Sequence, residues 1–290
     1  MKFALIAHPG KYTVTRPLKM VLGWCRENSV SCFGHASLFD LADMPPEKIF
    51  HPVNDDREAI GKSDIAIAIG GDGTMLYTAQ IIRELDKPIL GINSGRLGFM
   101  ANIHQKQILE ALNAVLLNDF RIDERYMLEA GVDGGRRHYA LNEFLFAKKD
   151  TTSLITLTAS YDGHFINRYW ADGLIVASPT GSTAYNLSSG GPIVMPGTPV
   201  MVLTPINPHT LTTRPLVLSS GKPLTIRILE NADHVLFSSD GRITDVENQP
   251  FEVQIRRSDH TVKLIQLKEQ NYFDTLRSKL MWGMDSRKKP

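Results

Sequence analysis

Along the first hundred residues, short apolar runs alternate with stretches whose apolar residues recur every three or four positions. Phe3 to Ala7 predicts a strand, Thr15 to Asn28 a helix, Asp64 to Ile69 a buried strand, Thr74 to Leu85 a helix and Pro88 to Ile92 another strand. Apolar strands separated by amphipathic helices predict a parallel sheet with helices on its faces. A helical stretch follows from His104 to Leu117, and then the period changes. From Phe120 to Leu267 alternating or β-branched runs dominate, broken by the hairpin signals Asp133-Gly134-Gly135, Asp162-Gly163 and Asp240-Gly241. Tyr272 to Trp282 returns to helical spacing; Phe273, Leu276, Leu280 and Met281 need cover, so this helix is expected to pack back on the body. The expected fold is an α/β N-terminal domain with a parallel sheet (residues 1–100), a mainly β domain (101–268), and a C-terminal helix and tail (269–290).

Gly70-Gly71-Asp72-Gly73-Thr74 follows the apolar run Ile65 to Ile69 and leads into a helix. Glycines let backbone N–H groups approach an anion, and a helix N-terminus adds a favourable dipole, so this turn suits a phosphate. Asp72 is the odd member. A carboxylate beside phosphates is repelled unless it binds a cation or handles a proton, which points to phosphoryl transfer rather than simple phosphate binding. A second turn, Gly91 to Phe99, follows the next strand; it is neither a dinucleotide fingerprint nor a Walker A sequence, and its position makes it a wall beside the first turn.

Composition adds exclusions. The 290 residues carry 32 Lys+Arg against 31 Asp+Glu, so a net charge of +1 supplies no general attraction to nucleic acid or an anionic membrane. Only Ser286 to Pro290 is locally basic, as solvated tails often are. Cys25 and Cys32 are too few for a disulfide scaffold and fit a reducing, cytoplasmic compartment; with His35 they match no structural zinc spacing and read as buried small residues. The run Phe3 to Ala7 is too short for a signal peptide or membrane span.

Within the β region, Ala171 to Ala177 is an apolar strand that gives way to Ser178-Pro179-Thr180-Gly181-Ser182-Thr183-Ala184-Tyr185-Asn186. Hydroxyls and N–H groups meet there and can cradle a phosphate or read a base edge; an ordinary helix cap is the bland alternative. Ser182 lacks the nucleophile-elbow pattern and a placed base.

Taken together, Gly70 to Thr74, Asn93 to Phe99, Asn142-Glu143, Asp172 to Tyr185, Pro208-His209-Thr210-Leu211 and Arg214-Pro215-Leu216 resemble bacterial NAD kinases over residues 3–282. Gly-Gly-Asp-Gly alone is shared with diacylglycerol, sphingosine and phosphofructo-kinases; joined to the other motifs it is specific. The resemblance implies phosphorylation of the 2′-hydroxyl of the adenosine ribose of NAD, giving NADP, with ATP or polyphosphate as donor and Mg²⁺ or another divalent metal. It implies NAD and ATP as partners and a homodimer or homotetramer, and it identifies no metal ligands.

In that resemblance Asp72 is the catalytic carboxylate. An ordinary aspartate, with a pKa of about 3.9, is a weak base, so orienting the hydroxyl, with late proton acceptance, is the expected role. Gly71, Gly73, Thr74 and Asn93 are expected at the nucleotide. In the strand-like run Tyr139 to Ala147, Asn142 and Glu143 would face opposite sides unless the strand is distorted; by resemblance both serve the adenosine. Asp172 fits amide or hydroxyl donors of NAD. Thr180, Gly181, Ser182, Thr183, Ala184, Tyr185 and Ser188 are expected around the nucleotide, with Thr183 to Tyr185 at the adenine end. His209 matches the pattern too, and Arg214 is either a ligand contact or a structural ion-pair partner.

Two positions depart from the pattern. Trp170 stands where many relatives carry Arg or a small residue, and Arg242 where Gln is frequent, so selectivity for acceptor and donor is open there. A lipid or sugar kinase of the same superfold is the alternative enzyme, although no amphipathic basic helix for membrane docking is seen. A non-catalytic dinucleotide sensor is the alternative of another class, and Asp72 speaks against it.

Overall fold

The computed structural model describes the chain except residues 11, 45–47, 96–97, 134, 150–152, 231, 245–249 and 283–290. Arg96 and Leu97 of the second turn, Gly134 of one hairpin signal and the basic tail lie outside the described residues. Two compact units emerge: Met1–Glu124 with Val262–Pro290, and Arg125–Thr261.

The first unit begins with β1 (Lys2–Ala7), α1 (Thr15–Glu27), β2 (Ser31–His35), α2 (Ala36–Leu41), β3 (Phe50–Val53), α3 (Asp56–Gly61), β4 (Ile65–Gly70), α4 (Asp72–Ile82), β5 (Ile89–Asn93) and α5 (Ile108–Leu116). Its strands are parallel in the order β3-β2-β1-β4-β5. Every residue of β4 is buried, as a strand covered on both faces requires. Leu5, Leu18, Leu22, Ile67, Leu90 and Leu112 belong to one apolar core that ties strands to helices. The sequence pattern assigned no element between residues 29 and 63. Gly34 and Pro52 dilute the apolar run in β2 and β3, and those four- and five-residue strands gain their stability from neighbours rather than from propensity.

The second unit is antiparallel. The chain passes into it along β6 (Arg121–Val132), and continues through β7 (Arg137–Ala140), β8 (Glu143–Lys148), β9 (Ile155–Tyr161), β10 (His164–Ala171), β11 (Gly173–Ala177), the short α6 (Tyr185–Ser188), β12 (Val200–Ile206), β13 (Leu216–Ser219), β14 (Leu224–Ile228), β15 (Val235–Ser239) and β16 (Arg242–Thr244). It leaves along β17 (Phe251–Gln266). One sheet runs β13-β12-β11-β8-β15-β16, and β10, β9, β14 and β17 pair in that order in another. Phe144, Phe146 and Phe237 of the first pack with Leu157, Ile226 and Val253 of the second, the core of a sandwich. The turns at Asp162-Gly163 and Asp240-Gly241 form as the sequence predicts, all four residues having positive φ as a type I′ hairpin requires.

The last helix, α7 (Tyr272–Leu280), belongs to the first unit and is capped by Asn271, whose side chain accepts from Asp274 N at 2.9 Å. Only part of its expected apolar face is covered: Leu276 is buried, whereas Phe273 and Met281 are exposed.

The division into units differs from the expected one at residues 100 and 268. Trp24 Nε1 of α1 donates to Asn113 Oδ1 of α5 at 2.8 Å, which binds α5 to the first unit, and Leu264 of β17 pairs with Ile89 of β5 in the same unit. Among the described residues, no helix is long and apolar enough to cross a membrane.

Candidate active site

In the first unit, Gly70 ends β4, Gly71 is the extended N-cap and Asp72 is the first residue of α4, so the helix starts earlier than the pattern indicated. Asp72 does not cap its own helix. Its Oδ2 accepts from Phe99 N at 2.9 Å, and its Oδ1 from Met100 N at 3.0 Å and Ala101 N at 3.1 Å. The second turn is thereby pinned against the first, and Ser94 N adds a bond to Gly70 O at 2.9 Å. The approach is so close that a Cβ on Gly98 would lie 2.1 Å from Asp72 Oδ1, and one on Gly70 2.1 Å from Thr74 Oγ1. A carboxylate offers about four lone-pair positions. Three are taken by the backbone, and one on Oδ2 remains for a hydroxyl or a cation.

The two turns open onto different cavities. Gly73 and Thr74 line one of about 470 Å³ with the carboxyl end of β1 (Ile6 to Pro9), Asp56 and Tyr77. That is the end of a parallel sheet where ligands bind, and the exposed N-terminus of α4 suits an anion there. Tyr77 Oη donates to Asp56 Oδ2 at 2.9 Å, and burial raises the Asp56 carboxyl above its ordinary value. Asn93 instead lines a separate cavity with Gly95, its Oδ1 accepting from Gly95 N at 2.8 Å and its Nδ2 donating to Ala101 O at 3.3 Å.

In the second unit, the expected continuous strand from Tyr139 to Ala147 is broken at Leu141 and Asn142, between β7 and β8. Asp240, with φ of +47°, causes the break. Its Oδ2 accepts from Leu141 N at 2.9 Å, and its Oδ1 from Asn142 N at 2.8 Å and Glu143 N at 3.2 Å. Ser178 N donates to Asn142 O at 2.8 Å, and a Cβ on Gly181 would lie 2.2 Å from that same oxygen. Asn142-Glu143 and the Ser178 to Tyr185 segment therefore form one constellation, which the sequence left 35 residues apart along the chain.

Glu143 is the unusual group in it. Its Oε2 is buried without a hydrogen-bond partner, and burial together with the neighbouring Asp240 carboxylate pushes its pKa to about 8. At neutral pH it is a carboxylic acid, able to donate one hydrogen bond and accept others. Asp240 was read in the sequence only as a hairpin residue; the Asp-Gly dipeptide does not reveal what its carboxylate holds.

Ser182 is fully buried, its Oγ donating to Pro179 O at 2.6 Å and accepting from Val194 N at 3.0 Å, so it staples the loop. Thr183 Oγ1 donates to Thr180 O at 3.3 Å, and the buried Arg125 donates to Thr180 Oγ1 at 3.4 Å. Neither Thr180 nor Ala184, at the N-caps of the turn 181–183 and of α6, makes a side-chain cap bond, whereas Ser178 Oγ accepts from Gly181 N at 3.2 Å in the manner of a cap. Thr183 and Ala184 are half-buried, and Tyr185 and Ser188 are exposed.

Asp172 is held by Lys148 Nζ at 2.6 Å and Asn207 Nδ2 at 3.0 Å, which keep its carboxyl below the ordinary range. Trp170 at the end of β10 is 51% exposed and lies against the exposed His209, with ring centroids 4.3 Å apart, so it is no core residue. Arg214 forms no ion pair among the described residues. Its Nη1 donates to Leu211 O at 2.7 Å and Thr213 O at 2.8 Å, bracing its own loop. Arg242 is exposed at the start of β16, opposite Ser239.

Comparison with known proteins agrees with these motifs. The ATP-NAD kinase N-terminal domain family matches residues 40–120, and the ATP-NAD kinase C-terminal domain family residues 141–267. A NAD kinase of Syntrophotalea carbinolica is 36% identical over 287 residues, covering 97% of each chain. A NAD kinase of Cytophaga hutchinsonii is 38% identical over 231 residues, 79% of each chain. Among solved structures, yeast NADH kinase complexed with NADH has a TM-score of 0.87 at 23% identity, covering 100% of this chain and 90% of that one. An Archaeoglobus fulgidus NAD kinase in complex with ATP has a TM-score of 0.74 at 23% identity, covering 97% and 99%. With family matches in both parts and relatives aligned over nearly the whole length, the chain belongs to the NAD kinase family.

Proposed function

We propose that this protein transfers the terminal phosphoryl group of ATP to the 2′-hydroxyl of the adenosine ribose of NAD, producing NADP. Family membership supports the reaction, and one observation supports its chemistry: a carboxylate, Asp72, pinned by three backbone N–H groups beside the exposed N-terminus of α4, with one lone-pair position left. A preorganised acceptor of that kind orients a hydroxyl at little entropic cost. Because phosphoryl transfer has a loose transition state, Asp72 holds the hydroxyl in line and takes its proton late.

The N–H groups of Gly73 and Thr74 suit the donor's phosphates. Glu143 and Asn142 suit the adenosine: the buried Oε2 of Glu143 lacks a partner that a ribose hydroxyl would supply, and Asn142 can both donate and accept. The exposed faces of Ala184, Tyr185 and Ser188 suit the base. Among the described residues no group of three or more His, Cys, Asp or Glu is placed to hold a metal. A divalent cation would then be held by the donor's phosphate oxygens and water, as Mg²⁺ often is, since the remaining Oδ2 position of Asp72 takes the hydroxyl. It would neutralise phosphate charge. An assembly of two or four copies, in the cytoplasm, completes the proposal.

The test is to incubate the purified protein with Mg²⁺, ATP and NAD and to detect NADP with a dehydrogenase specific for it. NADP forms, while diacylglycerol, sphingosine and fructose 6-phosphate yield no phosphorylated product. Turnover of a lipid without turnover of NAD would overturn the assignment.

A further inference from the structure

The three N–H groups that pin Asp72 belong to Phe99, Met100 and Ala101, and the C-terminal segment of the first unit touches both ends of that turn. At one end, Gln270 Nε2 donates to Asn102 O at 3.3 Å. At the other, Lys279 Nζ of α7 lies 5.7 Å from the centre of the Phe99 ring, within the range of a cation–π contact. Gln270 is itself held in place. Its Oε1 accepts from Leu267 N at 3.1 Å, its N–H donates to Leu267 O at 3.0 Å, and Arg121 Nη2 donates to its carbonyl at 2.8 Å. From there α7 starts at the Asn271 cap and is anchored by the buried Leu276.

Neither contact is needed to build α7. Arg277 pairs with Asp274 inside the helix, whereas the Lys279 ammonium has no acid partner among the described residues and lies over an aromatic ring instead. A turn of irregular backbone has little stability of its own, and a carboxylate pinned by it is aimed only as well as the turn is held. One support comes from β5, where Asn93 N donates to Ile103 O at 2.8 Å and Asn93 Nδ2 to Ala101 O at 3.3 Å. The other comes from a segment 168 residues further along the chain than Asn102.

We propose that the C-terminal segment is a positioning element of the active site, in which Gln270 and Lys279 clamp the turn 98–102 so that its N–H groups aim Asp72. Neither side chain touches a reacting atom; Gln270 acts through the Asn102 carbonyl and Lys279 through the Phe99 ring. The effect on catalysis rests on the kinase reading, while the clamp itself does not. Because the turn orients the acceptor of the proton and does not bind NAD, loosening it lowers kcat and leaves the KM for NAD nearly unchanged.

Two substitutions test this. Gln270→Glu keeps the acceptor for Leu267 N but sets a carboxylate oxygen against Asn102 O, where the amide donated. Lys279→Met removes the cation and keeps the stem, and Lys279→Arg restores the cation. With the fold checked by circular dichroism, Gln270→Glu and Lys279→Met each lower kcat by about three- to tenfold, the KM for NAD stays within about twofold of the wild type, and Lys279→Arg recovers kcat. Hydrogen exchange at the Phe99, Met100 and Ala101 amides needs no turnover, and it quickens by a similar factor in the first two variants. Unchanged kcat in both, or unchanged exchange at these amides, overturns the proposal. So does an exchange rate that rises evenly over the whole first unit, which is what a merely structural role would give. Should Gln270→Glu fail to fold, the Lys279 variants decide alone. A wild type that makes no NADP sinks the kinase reading instead, and the exchange measurement still decides the clamp.

Discussion

At the scale of single residues, Asp72 is defined by the backbone N–H groups it accepts from, and Glu143 by burial and the neighbouring Asp240 carboxylate. Asp72 accepts from three N–H groups, and an asparagine has only one acceptor oxygen to offer them. Asp72→Asn therefore loosens the turn as well as removing charge, each lost charge-assisted bond costing about 1.5–3 kcal/mol. We expect kcat to fall roughly 10²-fold or more with a much smaller change in NAD affinity, together with a lowered melting temperature. Near-normal kcat with the same loss of stability would leave Asp72 as an anchor of the turn. Glu143 makes a prediction in pH. Its folded pKa of about 8 stands above the ordinary 4.5, so the native state holds a proton that the unfolded chain has released. Its contribution to stability is complete below the unfolded value and is lost as pH rises toward about 8. Glu143→Gln cannot ionise, and its melting temperature should gain on the wild type across that window and level off above it. Parallel melting curves would show that Glu143 is already ionised in the folded protein. At neutral pH the two side chains are nearly isosteric, so the loss of NAD affinity in this variant should grow as the pH passes 8.

At the scale of elements, the chemistry sits where a strand stops and a turn is forced close to a neighbour. Two glycines of the first unit separate packing from function. Gly98→Ala would place a Cβ 2.1 Å from Asp72 Oδ1, so the turn must move off the carboxylate. A fall in kcat with an unchanged circular dichroism spectrum is expected, and normal kcat would show that the pinned arrangement is dispensable. Gly73→Ala meets nothing within 4 Å and lies inside the first turn of α4, where alanine favours a helix by up to about 1 kcal/mol. Its stability should hold or rise while the KM for ATP increases, because the new methyl group stands where phosphate approaches the N–H groups. An unchanged KM would remove this turn from donor binding. The position of these strand-ending turns was legible in the sequence, since an apolar run followed by glycines and a helix has few other readings. Their hydrogen bonds were not. Phe99 to Ala101 carry no side-chain signal that their N–H groups serve Asp72, and Asp240 reaches β7 and β8 from about a hundred residues away.

At the scale of the whole molecule, Trp170 shows how an exposed residue bears on selectivity without holding the fold. Half-exposed against His209, it can be replaced with little effect on the melting temperature. An arginine at this place would carry a charge with which to distinguish the cationic nicotinamide of NAD from neutral NADH, and a tryptophan has none. We expect measurable phosphorylation of NADH, and a lower NAD-over-NADH ratio of kcat/KM in Trp170→Arg than in the wild type, because a guanidinium repels the cationic ring and not the neutral one. An unchanged ratio would reduce Trp170 to a cover for His209. By itself, the amino-acid sequence determined the α/β and mainly β halves, the turn at Gly70 to Thr74, the hairpins at Asp162 and Asp240 and the membership of a kinase family. These follow from local periodicity, turn chemistry and contiguous motifs. Tertiary structure alone decided that α5 and α7 belong to the first unit, that β2 and β3 form at all, that Asp240 breaks a strand to present Asn142 and Glu143, and that Glu143 is a neutral acid. Each of those depends on burial and on partners distant in sequence, where desolvation and packing outweigh the preferences that a local pattern records.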